Sequence, residues 1–190
     1  MVEKPVLYFK EDILWREWLH ENHADFPQGV YLIFYKLETK IPTMRWEEAV
    51  RVALCYGWID STSKSLGEGK RQQYFCPRNV KSVWSALNKT HLKELEKAGL
   101  LHKKGKEVIA EAKKNGSWTA LDDVENLIIP ADLQKEFNKN KLAFTNFNEF
   151  SKSYRKSYLY WLNQAKREET RNKRISEIID RCAKNIKSRN

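Results

Sequence analysis

The sequence predicts an α+β fold, with a small β-sheet in the N-terminal half and a predominantly helical C-terminal half. Three observations carry that expectation. An unbroken apolar run, Val30-Tyr31-Leu32-Ile33-Phe34-Tyr35, follows Gly29. Apolar residues at helical spacing lie on either side of it, and from Ser82 to the end the periodicity is largely helical.

Between Glu11 and His23, Leu14, Trp15, Trp18 and Leu19 form one apolar stripe of a helix. Residues 29–37 lack polar alternation, which predicts a strand covered on both faces. Trp46, Ala49, Val50, Ala53 and Leu54 predict a second helix, and Gly57 stands where a left-handed C-terminal cap is wanted. Trp58-Ile59 reads as a short extended segment. Ser61 to Lys70, polar and carrying Gly67 and Gly69, reads as a mobile loop. Gln72 to Cys76 predicts a second strand, ended by Pro77, which has no amide for a ladder.

Trp84, Leu87, Leu92 and Leu95 then form a helical stripe ending at Gly99, and Val108, Ile109 and Ala112 another ending at Gly116. Pro130 suits the first position of a short helix through Phe137. Tyr158, Trp161, Leu162 and Ala165 predict one further helix, and Arg171, Ile175, Ile178, Ile179, Cys182 and Ile186 the last. At 190 residues the chain is expected to form one domain, residues 1–190, with a division into a mixed part over 1–100 and a helical part over 101–190 as the alternative.

Composition narrows the function classes. With 41% hydrophobic residues, seven Trp, eight Tyr and eight Phe, the chain has the material for a packed core. No apolar run reaches the roughly 20 residues of a membrane helix, and the N-terminus lacks the apolar stretch of a secretory signal, so no membrane insertion and a cytoplasmic location are expected. Cys55, Cys76 and Cys182 are odd in number and widely spaced, which suits reduced thiols better than a disulfide framework or a zinc site. The net charge of +10 is uneven: residues 152–190 hold 12 Lys or Arg against 4 acids. Such a surface is usually just solvated, but it also suits phosphates or acidic partners.

One region concentrates candidate chemistry. Trp58, Asp60, Tyr74, Arg78, Trp84 and Asn88 supply aromatic walls and a few polar groups, the ingredients of a small-ligand pocket. Asp60 and Arg78 are expected to pair, and Asn88 lies four residues after Trp84, so both are expected to face one space. The competing reading places the tryptophans in the core, with the polar three tying down backbone groups beneath them. Cys55 sits near a helix C-terminus, where the dipole opposes a thiolate, so it is expected to pack and not to react. His20 and His23 lie three apart on a helix without a third ligand at matching spacing, and His91 and His102 are isolated in sequence. Glycine-rich phosphate loops and nucleophile elbows are absent. Neither a metal, a cofactor nor a catalytic residue is therefore expected.

The run Ala49-Val50 to Cys55-Tyr56-Gly57-Trp58-Ile59-Asp60-Ser61, then Phe75-Cys76-Pro77-Arg78, Trp84-Ser85-Ala86-Leu87-Asn88-Lys89 and Ala98-Gly99, resembles the YdeI/OmpD-associated family. So do Phe150-Ser151, Arg155-Lys156, Tyr160-Trp161, Ala165-Lys166-Arg167 and Glu169-Thr170-Arg171. Departures are Arg45, where relatives usually carry Ser or Thr, Cys76 in place of Thr, and Asn79-Val80 in place of a basic residue and proline. The resemblance implies a bacterial source and an association with bacteriocin protection, outer-membrane porins and envelope stress. It implies no reaction.

The function expected is thus a binding module for an unknown small molecule or protein. One alternative is nucleic-acid binding through Lys166, Arg167, Arg171, Lys173 and Arg174. Another is an enzyme using Asp60, where the neighbouring Arg78 favours a bound carboxylate over a general acid.

Overall fold

A computed structural model describes residues 4–188, which divide into two compact units, the second beginning at Ala120. Each has its own buried core. The predicted class is found: the sheet lies in the N-terminal half, and helices make up most of the C-terminal half.

The first unit contains β1 (Val6–Tyr8), α1 (Asp12–Asn22), β2 (Val30–Tyr35), α2 (Trp46–Cys55), β3 (Trp58–Gly67), β4 (Lys70–Pro77), α3 (Ala86–Lys97) and α4 (Lys103–Lys114). Its sheet has the order β1-β2-β4-β3, with β1 parallel to β2 and the other neighbours antiparallel. Alternation along β2 turns Val30, Leu32 and Phe34 toward α1 and α2, where they join Trp15, Leu19, Val50, Leu54, Trp58 and Phe75 in one core. The other face carries Tyr31, Ile33 and Tyr35, and both tyrosines are half-buried. Cover on both faces, expected from the unbroken apolar run, is thus replaced by a core face and a tyrosine face. An apolar run cannot distinguish Tyr standing at a water boundary from Leu standing in a core.

Two buried indoles in this core find backbone acceptors. Trp15 Nε1 donates to Ala49 O (3.2 Å) and Trp58 Nε1 to His23 O (3.2 Å). Gly57, with φ +73°, follows α2 as expected and lets the chain turn directly into β3. Gly105 matters for another reason: a Cβ there would lie 2.2 Å from Cys55 O, so α4 crosses the end of α2 at backbone contact.

The segment expected as a mobile loop is the distal half of β3. Ser63, Lys64 and Ser65 pair with Gln73, Gln72 and Arg71, and the chain reverses at Gly67-Glu68-Gly69. Its side chains are exposed, so its order comes from the backbone ladder, which polar composition does not reveal. β1 was not predicted either: it is three residues long and is held by its parallel ladder to β2. Trp84 precedes α3 instead of lying in it. Ser85 is the N-cap and its Oγ accepts from Asn88 N (3.3 Å).

The second unit contains α5 (Asp122–Glu125), α6 (Ala131–Lys139), α7 (Lys141–Glu149), α8 (Lys152–Asn163) and α9 (Glu168–Ala183). Leu133, Phe137, Phe147, Leu159, Leu162 and Ile178 are fully or almost fully buried at its centre. Pro130 is the N-cap of α6, one position before the expected one. Asn140 ends α6 and starts α7, its Oδ1 accepting from Ala143 N (3.0 Å). Inside the unit, Asn146 Nδ2 donates to Cys182 O (2.8 Å) and Tyr158 OH to Ile186 O (2.8 Å), which ties α7 and α8 to the last helix and the chain after it.

Candidate functional site

Past the cover of α2, the core-side face of the β3–β4 hairpin continues with small residues. Ser63 and Ser65 stand there on β3, so the side chain of their β4 neighbour Arg71 is the large one over Phe34. The connection from β2 to α2 closes the other side. The result is a cleft of about 1030 Å³ with a buried apolar floor, Phe34 and Met44, and Trp46 on its wall. Lys36, Arg45, Lys70 and Arg71 line it together with Glu38, Glu47 and Glu68. The Arg71 guanidinium lies 5.2 Å from the centre of the Phe34 ring.

Trp46 is the first residue of α2, and 38% of its surface is exposed, yet its indole is fixed. Nε1 donates to Asp60 Oδ2 (2.8 Å), and the same oxygen accepts from Gln73 Nε2 (2.9 Å). Gln73, 4% exposed, also donates to Ser61 O (2.9 Å). A buried amide and a carboxylate thus hold an aromatic ring at the solvent boundary, and hydrogen bonds to a carboxylate are the stronger kind. At the same helix end Glu48 Oε2 accepts from Arg45 N (2.6 Å), one half of a capping box whose other half the Arg45 guanidinium, which has no acceptor, cannot supply.

The six residues singled out in the sequence occupy different environments. Trp58 and Trp84 are buried, each 1% exposed. Asp60 engages Trp46 and Gln73 in place of the expected pairing with Arg78. Tyr74 lies on the opposite sheet face, its hydroxyl donating to Gln28 O, with Lys4 Nζ 4.1 Å from its ring centre. Arg78 is 8% exposed, stacks 3.7 Å from the Trp84 ring centre and donates through Nη2 to Val83 O. Its Nε and Nη1 are buried without a hydrogen-bond partner. Burial pushes the Arg78 pKa down to about 10 while the Asp60 charge opposes the fall, so the group stays charged at neutral pH. Asn88 is half-buried in the first turn of α3, and its link to Trp84 through one helical turn is lost because the helix starts at Ala86. None of the six lines the cleft, whereas Trp46, which donates to one of them, does.

Two histidines that looked isolated have partners. His102 lies 4.9 Å from His23 and 5.9 Å from His20 between ring centres, and it stacks on Tyr56 (5.0 Å). Burial, then the charges of His23 and His20, lower the His102 pKa. His91 Nδ1 accepts from Arg51 Nη1 (2.9 Å). Among the described residues no group of three His, Cys, Asp or Glu is arranged to hold a metal ion. Cys55 and Cys182 are buried; burial raises both thiols, that of Cys182 to about 12, which disfavours a thiolate.

Of the five C-terminal cations, Arg171 makes a two-point contact with the Asp132 carboxylate. Arg174 donates to Trp161 O and lies 5.0 Å from the centre of that ring. Lys166, Arg167 and Lys173 are exposed. No described helix is long and apolar enough to cross a membrane.

Comparison with curated proteins and with solved structures gave no match. Two family matches were found. Residues 126–185 match the family described as Bacteriocin-protection, YdeI or OmpD-Associated, which contains the C-terminal motifs from Phe150 to Arg171. Residues 7–108, including Trp46, Asp60 and all of the sheet but Val6, match the family described as a domain of unknown function (DUF8412). As that second match spans more than half of the sequence, the chain belongs to the DUF8412 family, and it carries a bacteriocin-protection, YdeI or OmpD-associated segment after it.

Proposed function

We propose that the chain is a binding module linked to bacteriocin or antimicrobial protection, and that its N-terminal unit takes a small amphipathic ligand in the cleft beside Trp46. The observation that carries this reading is the fixed, exposed indole of Trp46 over an apolar floor in a cleft of about 1030 Å³. Ligand sites commonly enclose about 300–1,000 Å³ and combine aromatic walls with a few placed polar groups. An exposed tryptophan held by hydrogen bonds presents its ring without a further ordering cost. The four cations and three carboxylates around it suit a ligand with a flat apolar body and a negative group, which the Arg71 guanidinium meets at the Phe34 ring. The protective role rests on the C-terminal family match alone.

Anilinonaphthalene sulfonate, a flat apolar anion, is the probe. Saturable fluorescence enhancement at one site is expected, and Trp46→Leu is expected to weaken it about tenfold, the equivalent of about 1.4 kcal/mol. Arg71→Glu is expected to weaken it as well. Affinity unchanged in both variants would remove the cleft from the account.

A further inference from the structure

The sheet face turned away from α1 and α2 has a composition of its own. Register and alternation place Val6 and Tyr8 of β1, Tyr31, Ile33 and Tyr35 of β2, Ile59 and Lys64 of β3, and Lys70, Gln72, Tyr74 and Cys76 of β4 on this face, whose Tyr35–Lys70 end borders the cleft. Lys4 joins them, its Nζ 4.1 Å from the Tyr74 ring centre and 6.0 Å from that of Tyr31. Tyr31 and Tyr74 are direct cross-strand partners with ring centres 5.3 Å apart, and Tyr8 meets Tyr35 edge-on at 5.5 Å. Asp60 is the one carboxylate in the four strands, and it lies on the other face, bound to Trp46 and Gln73. The tyrosine face thus offers aromatic rings and ammonium groups without an opposing strand carboxylate.

Two of its rings are also held in place by their hydroxyls. Tyr74 OH donates to Gln28 O and Tyr8 OH to Pro42 O, so little side-chain freedom remains to be lost on binding. Ile33 is buried between cross-strand neighbours Tyr8 and Gln72 but stands outside the main core, which leaves the face without a deep pocket. Flat immobile rings flanked by cations match a polyanion that carries flat rings of its own. An acidic peptide or an anionic lipid surface would use the lysines and leave the tyrosines unexplained.

We propose that this face binds single-stranded nucleic acid, with bases stacking on Tyr31, Tyr74 and Tyr8 and phosphates meeting Lys4 and Lys64. A four-stranded sheet presents room for about two or three stacked bases. Because every base has a stacking face, such a platform binds with little sequence preference. The residues it uses, Tyr8, Tyr31, Tyr74, Lys4 and Lys64, are neither among those that line the cleft nor among the five C-terminal cations, so it stands or falls without either.

Fluorescence anisotropy with labelled oligo-dT and oligo-rU of about ten nucleotides tests it on the full chain. Binding is expected at low salt. Its logarithm should fall with the logarithm of salt concentration with a slope of about −0.7 per phosphate contacted. Tyr31→Leu and Tyr74→Leu, which keep an apolar side chain, should each weaken binding about five- to a hundredfold. Lys64→Glu, at an exposed position, should weaken it and reduce the salt slope, and it keeps the test valid if a tyrosine variant loses its native circular dichroism. Absence of binding to both oligomers at low salt overturns the proposal. So does binding that survives Lys64→Glu and the tyrosine variants but is lost in Lys166→Gln, Arg167→Gln and Lys173→Gln. Capture by anionic vesicles without oligomer binding overturns it as well.

Discussion

Between Ala120 and Ser188, several charged side chains near the core end on partners inside the same unit, although Arg155 Nε is buried without one. Arg171 meets Asp132, Lys156 meets Glu125, Arg181 meets Glu177 (2.9 Å), and Arg174 covers Trp161. In the unit that ends at Thr119 the arrangement differs. Asp60 and Gln73 hold Trp46 at an open cleft, and Lys4 lies over tyrosines on the sheet face away from the core. Polar groups in the helical unit complete the fold, whereas several in the mixed unit hold surfaces ready. The contrast shows why the C-terminal charge surplus misleads as a functional signal: Arg171 and Arg174 are already engaged, and exposed pairs elsewhere contribute little to stability.

The largest expected effects concern the two cores. Trp15 and Phe137 are both fully buried, and truncating either to Ala should cost about 3–5 kcal/mol. Hydrogen exchange read peptide by peptide should show Trp15→Ala lowering protection before Thr119 and Phe137→Ala lowering it after Ala120. Equal loss throughout the chain in both variants would break the division into two units.

A smaller effect concerns pH. His102 has a folded-state pKa below its usual value, because burial and then His23 and His20 disfavour its charge, while Glu107 opposes the shift. Below about pH 6.5 the unfolded chain therefore takes up the proton more readily, so stability present above that pH is lost as pH falls. The thermal midpoint should drop between about pH 7 and pH 5, and less in His102→Asn. Asparagine retains an acceptor for Lys104 N, which His102 Nδ1 now binds at 3.3 Å. An equal drop in both proteins would assign the pH sensitivity elsewhere.

Regular apolar spacing made most helices and the β2 and β4 strands legible in sequence. Distal β3 and β1 were not legible, because a ladder of backbone hydrogen bonds leaves no mark on exposed Ser-Lys-Ser or on a three-residue strand. Helix α7 did leave one: Asn140 as cap, with Ala143 and Phe147 four apart, is a start signal followed by an apolar face. At the site, the sequence singled out Asp60 but not the ring it holds, because Trp46 fitted the apolar stripe of α2. Its exposure arises from its place at the first turn, where the stripe reaches the cleft. The clustering of His102 with His20 and His23 depends on α4 crossing α2 at Gly105, a contact set by packing between elements far apart in sequence.

The cleft is tested most directly by the indole N–H signals of the seven tryptophans, followed by two-dimensional nitrogen–proton NMR during titration with anilinonaphthalene sulfonate. The Trp46 signal, which reports its bond to Asp60, should shift furthest, and the Trp161 signal should stay in place. A titration that moves Trp161 and leaves Trp46 unchanged would contradict the assignment of ligand binding to the N-terminal unit.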